Sequence, residues 1–285
     1  MDDEPLIDFQ QVSYAYPARG AETPVAALRE VTLRVRRGEY LVLLGHNGSG
    51  KSTLARHCNA LLAPDSGRVL VAGRDTRDTS VRRAIRDRVG MIFHNPDNQI
   101  IATVVEDDVA WALAARGLPA DLIRARVAEA LAAVGIADLR GRPPHRLSGG
   151  QRQRLAIAGV LALRPDAIVS DESTAMLDPL ARRSIGALLR RLNRELGLTI
   201  VHVTHLLDEA ATADRVVVMD RGRVALEGPP ATLLGDPDRL RELRLDVPGP
   251  LDLAARLRAA GLPLDPAATT VEAIAREIAR LHEHG

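Results

Sequence analysis

The chain has 285 residues, of which 46% are hydrophobic and only 2% aromatic, so a large core must be built from aliphatic side chains. Its 38 basic and 37 acidic residues leave a formal net charge of +1, which gives no electrostatic footprint for nucleic acid or an anionic membrane surface. The single cysteine, Cys58, excludes an internal disulfide. No apolar run approaches the ~20 residues that a membrane-spanning helix needs.

Two kinds of strand pattern occur along the chain. Residues 5–37 and 67–73 alternate apolar and polar side chains, which predicts antiparallel strands at an edge of the fold. Residues 39–45, EYLVLLG, form a nearly continuous apolar run, which is typical of a buried parallel strand. Similar runs follow, separated by helical patterns, at 166–170, 198–204 and 215–220. The alternation predicts an α/β fold with a parallel core sheet and an antiparallel β edge.

A phosphate-binding loop follows the first buried strand. Residues 45–52, GHNGSGKS, match the pattern G-x-x-x-x-G-K-[ST] in full, between a predicted strand and a predicted helix. The glycines let backbone N–H groups surround phosphate oxygens, and the helix N-terminus adds partial positive charge. We assign nucleotide binding to Gly45, His46, Asn47, Gly48, Ser49, Gly50, Lys51, Ser52 and Thr53, with Ser52 also a ligand of Mg²⁺.

Lys51 is the only lysine in the chain, although there are 38 basic residues. An ammonium is a compact charge on a flexible stem, whereas a guanidinium is a planar fork. We expect the loop to leave a narrow approach to the β- and γ-phosphates that only the ammonium fits. The loop alone leaves a kinase, a GTPase and an ATPase open.

The helical stretch over residues 100–160 predicts a subdomain inserted between strands, because it is too long for one crossover helix. One amphipathic helix within it ends at Gly135 and has an apolar face formed by Ile123, Val127, Leu131 and Val134. The sequence LSGGQ then begins another helix, whose N-terminus presents Ser148, Gly149, Gly150 and Gln151. This predicts a second phosphate-binding element; the alternative is a capped helix with two permissive glycines.

The buried strand at 166–170 is followed by Asp171 and Glu172. We assign Asp171 to Mg²⁺ and Glu172 to orienting or deprotonating the attacking water. The strand over 198–204 is followed by His205, which can contact the γ-phosphate and the water. His202, on the same strand, fits a hydrogen-bonded core histidine better than a catalytic residue.

From residue 6 to 228 these elements resemble, in order, the nucleotide-binding subunit of ABC transporters. The resemblance implies that Tyr16 stacks on adenine, with Tyr14 as the weaker candidate, and that Asp178 lies in a loop joining two subunits. In that family the phosphate loop of one subunit faces LSGGQ of another, with ATP between them. The resemblance therefore implies an ATPase that dimerises with ATP and Mg²⁺ and separates after hydrolysis.

Three stretches are similar to the ATPases of energy-coupling factor transporters, namely FHNPDNQIIATVVEDDVAWAL, PHRLSGGQRQRLAIAGVLA and LRLDVPGPLDLAARLRAAGLPL. That likeness implies a second ABC ATPase, identical or related, beneath an integral membrane scaffold subunit. It also implies a substrate-capture subunit for a vitamin or a transition-metal cation, and a peripheral location at the cytoplasmic face of the cell membrane. It divides the chain into an ATP-binding domain over 5–228 and a C-terminal helical extension over 229–285 that helps to pair the ATPases.

Two positions depart from the family pattern. His94 stands where glutamine senses Mg²⁺ and meets the membrane partner. An imidazole can ligate a metal, although Mg²⁺ prefers oxygen, and we do not transfer the sensing role to Gln99. Ser170 stands where an apolar residue is usual, and a hydroxyl bonded back to the main chain would be tolerated there.

Two other classes of protein are the alternatives. A soluble ABC-type ATPase of translation usually carries two motif sets, and one of DNA repair carries a long coiled coil; this chain has neither. A phosphotransferase would lack LSGGQ. In the C-terminal extension, Thr269 and Glu272 predict a capping box at the start of an amphipathic helix.

Overall fold

The computed structural model describes residues 4–17, 23–265, 268 and 270–283. Within them the strands are β1 Ile7–Tyr16, β2 Val25–Val35, β3 Tyr40–Leu44, β4 Ser66–Val71, β5 Arg74–Asp75, β6 Val89–Ile92, β7 Ala167–Asp171, β8 Thr199–Val203, β9 Arg215–Asp220 and β10 Arg223–Gly228. The α-helices are α1 Lys51–Cys58, α2 Arg82–Arg88, α3 Val105–Ala114, α4 Ala120–Val134, α5 Gly149–Leu161, α6 Pro179–Leu196, α7 Pro230–Leu234, α8 Pro237–Glu242, α9 Gly249–Ala259 and α10 Val271–Glu283.

The strands form a core sheet and an edge sheet, as the two sequence patterns predict. The core sheet has the order β10-β9-β3-β8-β7-β6, in which β9, β3, β8, β7 and β6 run parallel and β10 is antiparallel to β9. The edge sheet is antiparallel, with the order β2-β1-β4-β5. Because the carboxyl ends of parallel strands meet at one edge, the segments following β3, β7 and β8 are brought together there.

Both faces of β3 are covered, which explains its unbroken apolar sequence. Tyr40, Val42 and Leu44 face a core shared with the helical segment and α6, whereas Leu41 and Leu43 face a core shared with the edge sheet and α1. All five side chains are buried. Each contributes about 1.5–3 kcal/mol of burial free energy, so this strand anchors the loop that follows it.

Helices α3, α4 and α5 pack on one another between β6 and β7 in the sequence. The predicted apolar face of α4 is confirmed: Val127, Leu131 and Val134 are buried, and Ile123 packs against them while half-buried. Gly135 ends the helix with a φ of 74°, the left-handed conformation that glycine adopts at little cost. None of the helices in the described parts of the chain is both long and apolar enough to cross a bilayer.

The last helices form a small core of their own, built from Ala254, Leu264, Ala268 and Ile274. The predicted capping box, with Thr269 as the N-cap, would start α10 at residue 270, whereas the helix begins at Val271. Thr269 lies outside the described residues, and the hydroxyl of Thr270 accepts a hydrogen bond from the N–H of Ala273 at 3.2 Å. Thr270 is therefore the N-cap. A capping box with Thr270 would need a glutamate or glutamine three residues later, at position 273, so Glu272 cannot complete one.

A substitution at Gly90 in β6 tests how closely helix α5 packs on the core sheet. A Cβ at this position would lie 2.1 Å from Cγ1 of Val160 in α5. Because valine is stiff at χ1, we expect Gly90→Ala to lower the free energy of unfolding by about 1–3 kcal/mol. Chemical denaturation of the full chain measures this change.

Gly159→Ala is the matched control, since a Cβ there meets no atom within 4 Å. The same glycine-to-alanine change in an α-helix should leave stability unchanged or raise it by up to about 1 kcal/mol. Equal destabilisation by both substitutions would contradict a tight contact between α5 and β6.

Candidate nucleotide-binding and hydrolysis site

The phosphate loop is held in shape by glycines where no side chain fits. Gly45 and Gly50 have φ values of 154° and 105°. A Cβ on Gly45 would lie 2.5 Å from the carbonyl oxygen of Met219, and one on Gly50 would lie 2.5 Å from that of Ala27. Strand β9 and strand β2 thus press against the loop, so its conformation is fixed by tertiary packing as well as by its own sequence.

His46 braces the loop through its side chain. Its Nε2 lies 2.9 Å from Oδ1 of Asp220 at the end of β9, and its Nδ1 lies 2.8 Å from the carbonyl oxygen of Asn47. Both ring nitrogens are therefore occupied by protein groups. We infer that any contribution of His46 to phosphate binding comes from its backbone N–H.

Lys51 is buried at the start of α1, with 4% of its surface exposed. Its ammonium donates hydrogen bonds to the carbonyl oxygens of Gly45 at 2.7 Å and His46 at 3.0 Å, and Nζ lies 3.6 Å from Oε1 of Glu172. Burial lowers the pKa of Lys51, while the nearby carboxylates of Glu172 and Asp171 oppose this shift. The arrangement places a positive charge beside the candidate catalytic carboxylate.

Ser52 and Asp171 meet as the sequence predicts for a Mg²⁺ site. The hydroxyl of Ser52 donates to Oδ1 of Asp171 at 2.8 Å. Burial raises the pKa of Asp171, and the Ser52 hydrogen bond opposes the rise. A hydroxyl and a carboxylate in contact supply the oxygen ligands that Mg²⁺ prefers, so these residues fit the ion. Among the described residues, no group of three or more His, Cys, Asp and Glu side chains forms a metal site.

The loop after β6 places His94 in solvent and Gln99 against the main chain. The carboxamide of Gln99 donates to the carbonyl oxygen of Met91 at 3.2 Å and accepts from the N–H of Phe93 at 3.1 Å. Gln99 therefore fixes the loop. Asp97 in the same loop pairs with Arg152 of α5 at 3.0 Å, which ties the loop to the helix that begins at LSGGQ.

Glu172 stands at the carboxyl end of β7 in a backbone conformation unusual for its residue type. Its φ is 49°, which for a non-glycine residue costs of order 1–3 kcal/mol and persists only where its surroundings hold it. Its N–H bonds to the carbonyl oxygen of Val203 in β8 at 3.0 Å. Nδ1 of His205, which makes no hydrogen bond, lies 3.9 Å from Oε2 of Glu172. Lys51, Glu172 and His205 thus converge on one small region.

Tyr16 ends β1 beside the phosphate-loop helix. Its hydroxyl lies 3.2 Å from Oγ1 of Thr53. Tyr14 packs edge-on against the Tyr16 ring and against His57, with ring centroids 5.1 Å apart in both pairs. Of the two tyrosines, Tyr16 is the one in contact with the nucleotide-loop residues.

The LSGGQ segment forms a complete capping box at the start of α5. The hydroxyl of Ser148 accepts from the N–H of Gln151 at 3.3 Å, and Oε1 of Gln151 accepts from the N–H of Ser148 at 2.9 Å. Gly149 and Gly150 follow within the first turn. Within this chain, no hydrogen bond or ion pair between described residues links 147–151 to the phosphate loop over 45–53. One copy of the chain therefore does not bring these two predicted phosphate-binding elements together.

Asp178 caps α6, accepting from the N–H groups of Leu180 and Ala181 at 2.9 Å each. The neighbouring side chains of Met176 and Leu180 are 69% and 76% exposed. These large apolar groups flank the segment that the family resemblance places between two subunits.

The hydroxyl of Ser170, considered above as a group that could bond back to the main chain, bonds side chains instead. Its Oγ lies 2.5 Å from Oγ of Ser173 and 3.2 Å from Nδ1 of His202. His202 is confirmed as a hydrogen-bonded core histidine, since its Nε2 lies 3.0 Å from Oε2 of Glu209. Glu209 escapes sequence analysis, because an acidic residue in the short segment after His205 carries no signal of burial.

Comparisons with known proteins agree with this geometry. The ABC transporter family model matches residues 28–175. An energy-coupling factor transporter ATP-binding protein EcfA1 of Symbiobacterium thermophilum is 56% identical over 98% of each chain, and one of Clostridium novyi is 44% identical over 98% of this chain and 99% of its own. The chain belongs to this family of transporter ATPases. It is therefore an ATP-binding subunit whose hydrolysis of ATP is coupled to transport.

Solved structures show the same fold. The structure of cbiO1 from Clostridium perfringens, part of the ABC transporter complex cbiONQ, has a TM-score of 0.76 at 35% identity and covers 88% of this chain and 99% of its own. The ATP-binding cassette MJ0796, solved as a dimer in a post-hydrolysis state bound to ADP and Pi, has a TM-score of 0.71 at 30% identity and covers 79% of this chain and 98% of its own.

Replacing Lys51 by arginine tests whether the site of this transporter ATPase needs an ammonium. The buried pocket around Nζ, bounded by two backbone carbonyl oxygens, leaves little room for a guanidinium. We expect Lys51→Arg to lower ATP turnover at least about 10²-fold, the scale of losing one preorganised charge donor. Phosphate release by the full-length protein measures the change, with circular dichroism to confirm folding. Turnover close to the unmodified protein would show that charge alone suffices.

Proposed function

We propose that ATP is held between two ATPase subunits, each contributing a different half of the pocket. The phosphate loop, Ser52 and Asp171 of one subunit bind MgATP. Ser148, Gly149, Gly150 and Gln151 of the second subunit approach the γ-phosphate. The separation of the two phosphate-binding elements within one chain supports this arrangement, as does the dimer of the related cassette MJ0796.

The reaction is hydrolysis of ATP to ADP and phosphate, and its chemistry is mainly positioning and charge stabilisation. Mg²⁺, when bound through Ser52 and Asp171, neutralises charge on the phosphate oxygens. Lys51 adds its ammonium charge on the same oxygens. Glu172 orients the attacking water and accepts its proton, and His205, whose Nδ1 lies near Glu172, steadies the geometry around the γ-phosphate. Tyr16 provides a ring for adenine.

Glu172→Gln isolates the proposed role of this carboxylate. The carboxamide keeps the size of the side chain but cannot accept the proton, so turnover should fall at least ~10²-fold, in the range of general-base assistance. ATP binding should persist, and the closed dimer should accumulate. Single-turnover phosphate release and light scattering with MgATP measure the two effects.

Glu195→Gln serves as the control, because Glu195 lies on the outer part of α6 with 65% of its side chain exposed. It should turn over ATP normally. Unchanged turnover in Glu172→Gln would remove Glu172 from the reaction and with it the proposed assignment of roles.

The transporter setting requires partners in the membrane. We propose that this ATPase lies peripherally at the cytoplasmic face of the cell membrane, beneath an integral scaffold subunit and a substrate-capture subunit for a vitamin or a transition-metal cation. The exposed side chains of Ile101 and Trp111, beside the loop that carries His94, offer an apolar surface for the scaffold. We propose that His94 links this apolar surface to the Mg²⁺ site.

Residues 229–285 serve, in this proposal, as the extension that pairs the two ATPases beyond the domain over 5–228. The apolar face of α10 supports this role because it is only partly used within the chain. Ile274 is buried, whereas Val271 and Ile278 are 58% and 40% exposed. An apolar stripe left open on an amphipathic helix is suited to a protein contact.

Ile278→Glu should therefore weaken the ATPase pair, since a carboxylate would be buried at the contact. Arg276→Glu, on the opposite face of α10, is the matched control and should leave pairing unchanged. Sedimentation velocity of the full-length protein over a concentration series measures the dimer fraction. Equal effects of both substitutions would argue against this face of α10 as the contact.

A further inference from the structure

A chain of buried polar side chains runs behind the candidate catalytic residues. Oγ of Ser173 lies 2.5 Å from Oγ of Ser170, which lies 3.2 Å from Nδ1 of His202, whose Nε2 lies 3.0 Å from Oε2 of Glu209. We refer to these four residues as the buried relay. Ser170 is fully buried, Ser173 and His202 are 1% exposed and the side chain of Glu209 is 10% exposed, so the Ser170 hydroxyl is out of reach of an external substrate.

The hydrogen-bond donors of the buried relay can all be oriented along the chain toward the carboxylate of Glu209. Glu209 accepts from the N–H at Nε2 of a neutral His202, which leaves the lone pair of Nδ1 to accept from the Ser170 hydroxyl. The Ser170 oxygen then accepts from the Ser173 hydroxyl. Burial raises the pKa of Glu209, but the hydrogen bond from His202, together with those from Thr204 and Thr174, outweighs this effect and lowers that pKa below its ordinary value. The ionised carboxylate is thus a fixed anchor for the three donors.

The position of the buried relay in the sequence connects it to both catalytic residues. Ser170 and Ser173 lie on either side of Asp171 and Glu172, so their contact closes the turn in which Glu172 has its positive φ. His202 and Glu209 lie on either side of His205. The relay therefore joins the turn that carries Glu172 to the segment that carries His205, across the pairing of β7 with β8.

Apolar packing alone would hold β7 against β8 more simply. Buried polar groups disfavour folding unless each is paired, and neighbouring positions in both strands are aliphatic: Ile168, Val169, Ile200, Val201 and Val203. A directional chain of hydrogen bonds adds something that apolar contacts lack, namely a fixed register between two side chains at its ends.

We propose that His202 and Glu209 are positioning residues, which hold Glu172 and His205 in one geometry through the buried relay. The proposal rests on the catalytic roles assigned above to Glu172 and His205. Glu209 sets the segment after His205, and Ser173 transmits that position to the strained turn at Glu172.

Glu209→Ala and His202→Leu test the proposal, with Ser170→Ala as a milder variant that leaves no unpaired charge. A displacement of catalytic groups by a fraction of an ångström to 1 Å costs up to ~10² in rate. We expect kcat to fall between about 10-fold and about 10²-fold in the first two variants, with the KM for ATP changed less than about 2-fold. Glu209→Gln keeps an acceptor for Nε2 and should recover most of the rate.

The control for general loss of stability is Asn193→Leu. Asn193 is also buried, but its carboxamide donates to the carbonyl oxygens of Gly38 and Leu198, away from the site. This variant should lower Tm without lowering kcat. A fall in kcat equal to that of His202→Leu would show that the loss follows from destabilisation, and would overturn the proposal.

A double variant separates this proposal from the one on which it rests. If Glu209 acts through Glu172, then adding Glu209→Ala to Glu172→Gln should change the residual single-turnover rate less than about 2-fold. A further loss as large as in the unmodified background would overturn the positioning role. So would an unchanged kcat in both Glu209→Ala and His202→Leu. Normal turnover in Glu172→Gln alone would instead defeat the assignment of Glu172.

Discussion

Parallel pairing of β3 with β8 and of β8 with β7 determines where every proposed catalytic side chain stands. The register places Leu43 beside Val203 and Val203 beside Asp171, so the three strands end at nearly the same level. The phosphate loop, the Asp171–Glu172 turn and the His205 segment must then emerge side by side. A slip of one residue in β7 would turn Asp171 to the opposite face of the sheet, and the contact between Ser52 and Asp171 would be lost.

Charge at this edge is buried but balanced. The Lys51 ammonium lies close to Glu172, and Asp171 accepts from Ser52, so each group has a partner or a hydrogen bond. Burial nevertheless lowers the pKa of Lys51 and raises that of Asp171, which shows that each charged form loses solvation. Such a site favours a ligand that brings both signs of charge, and MgATP presents phosphate oxygens to Lys51 and a cation to Asp171.

Much of this site can be read from the sequence, because its parts are local. The phosphate loop is marked by consecutive residues, among which Gly45 and Gly50 take positive φ values that glycine adopts at little cost. The unbroken apolar sequence of β3 follows from burial on both faces. The capping box of Ser148 and Gln151 is likewise set by a four-residue pattern.

What sequence analysis misses depends on contacts that no recognisable sequence pattern specifies. The partner of His202 is Glu209, which comes from the short helical segment Leu207–Thr212, too brief to show a periodic pattern. The Ser170 hydroxyl meets His202 because β7 and β8 are neighbours, which no local pattern states. The start of α10 at Val271 goes with Thr270, whose hydroxyl accepts from the N–H of Ala273.

The close contact between Gly90 and Val160 has a mechanical consequence. With no side chain on Gly90, helix α5 lies directly on β6, and the ion pair of Asp97 with Arg152 fastens the same helix to the loop beyond that strand. The helix that begins at LSGGQ is therefore tied at two points, to β6 and to the loop beside the surface that we propose for the membrane scaffold, so a movement of that loop would also move this helix.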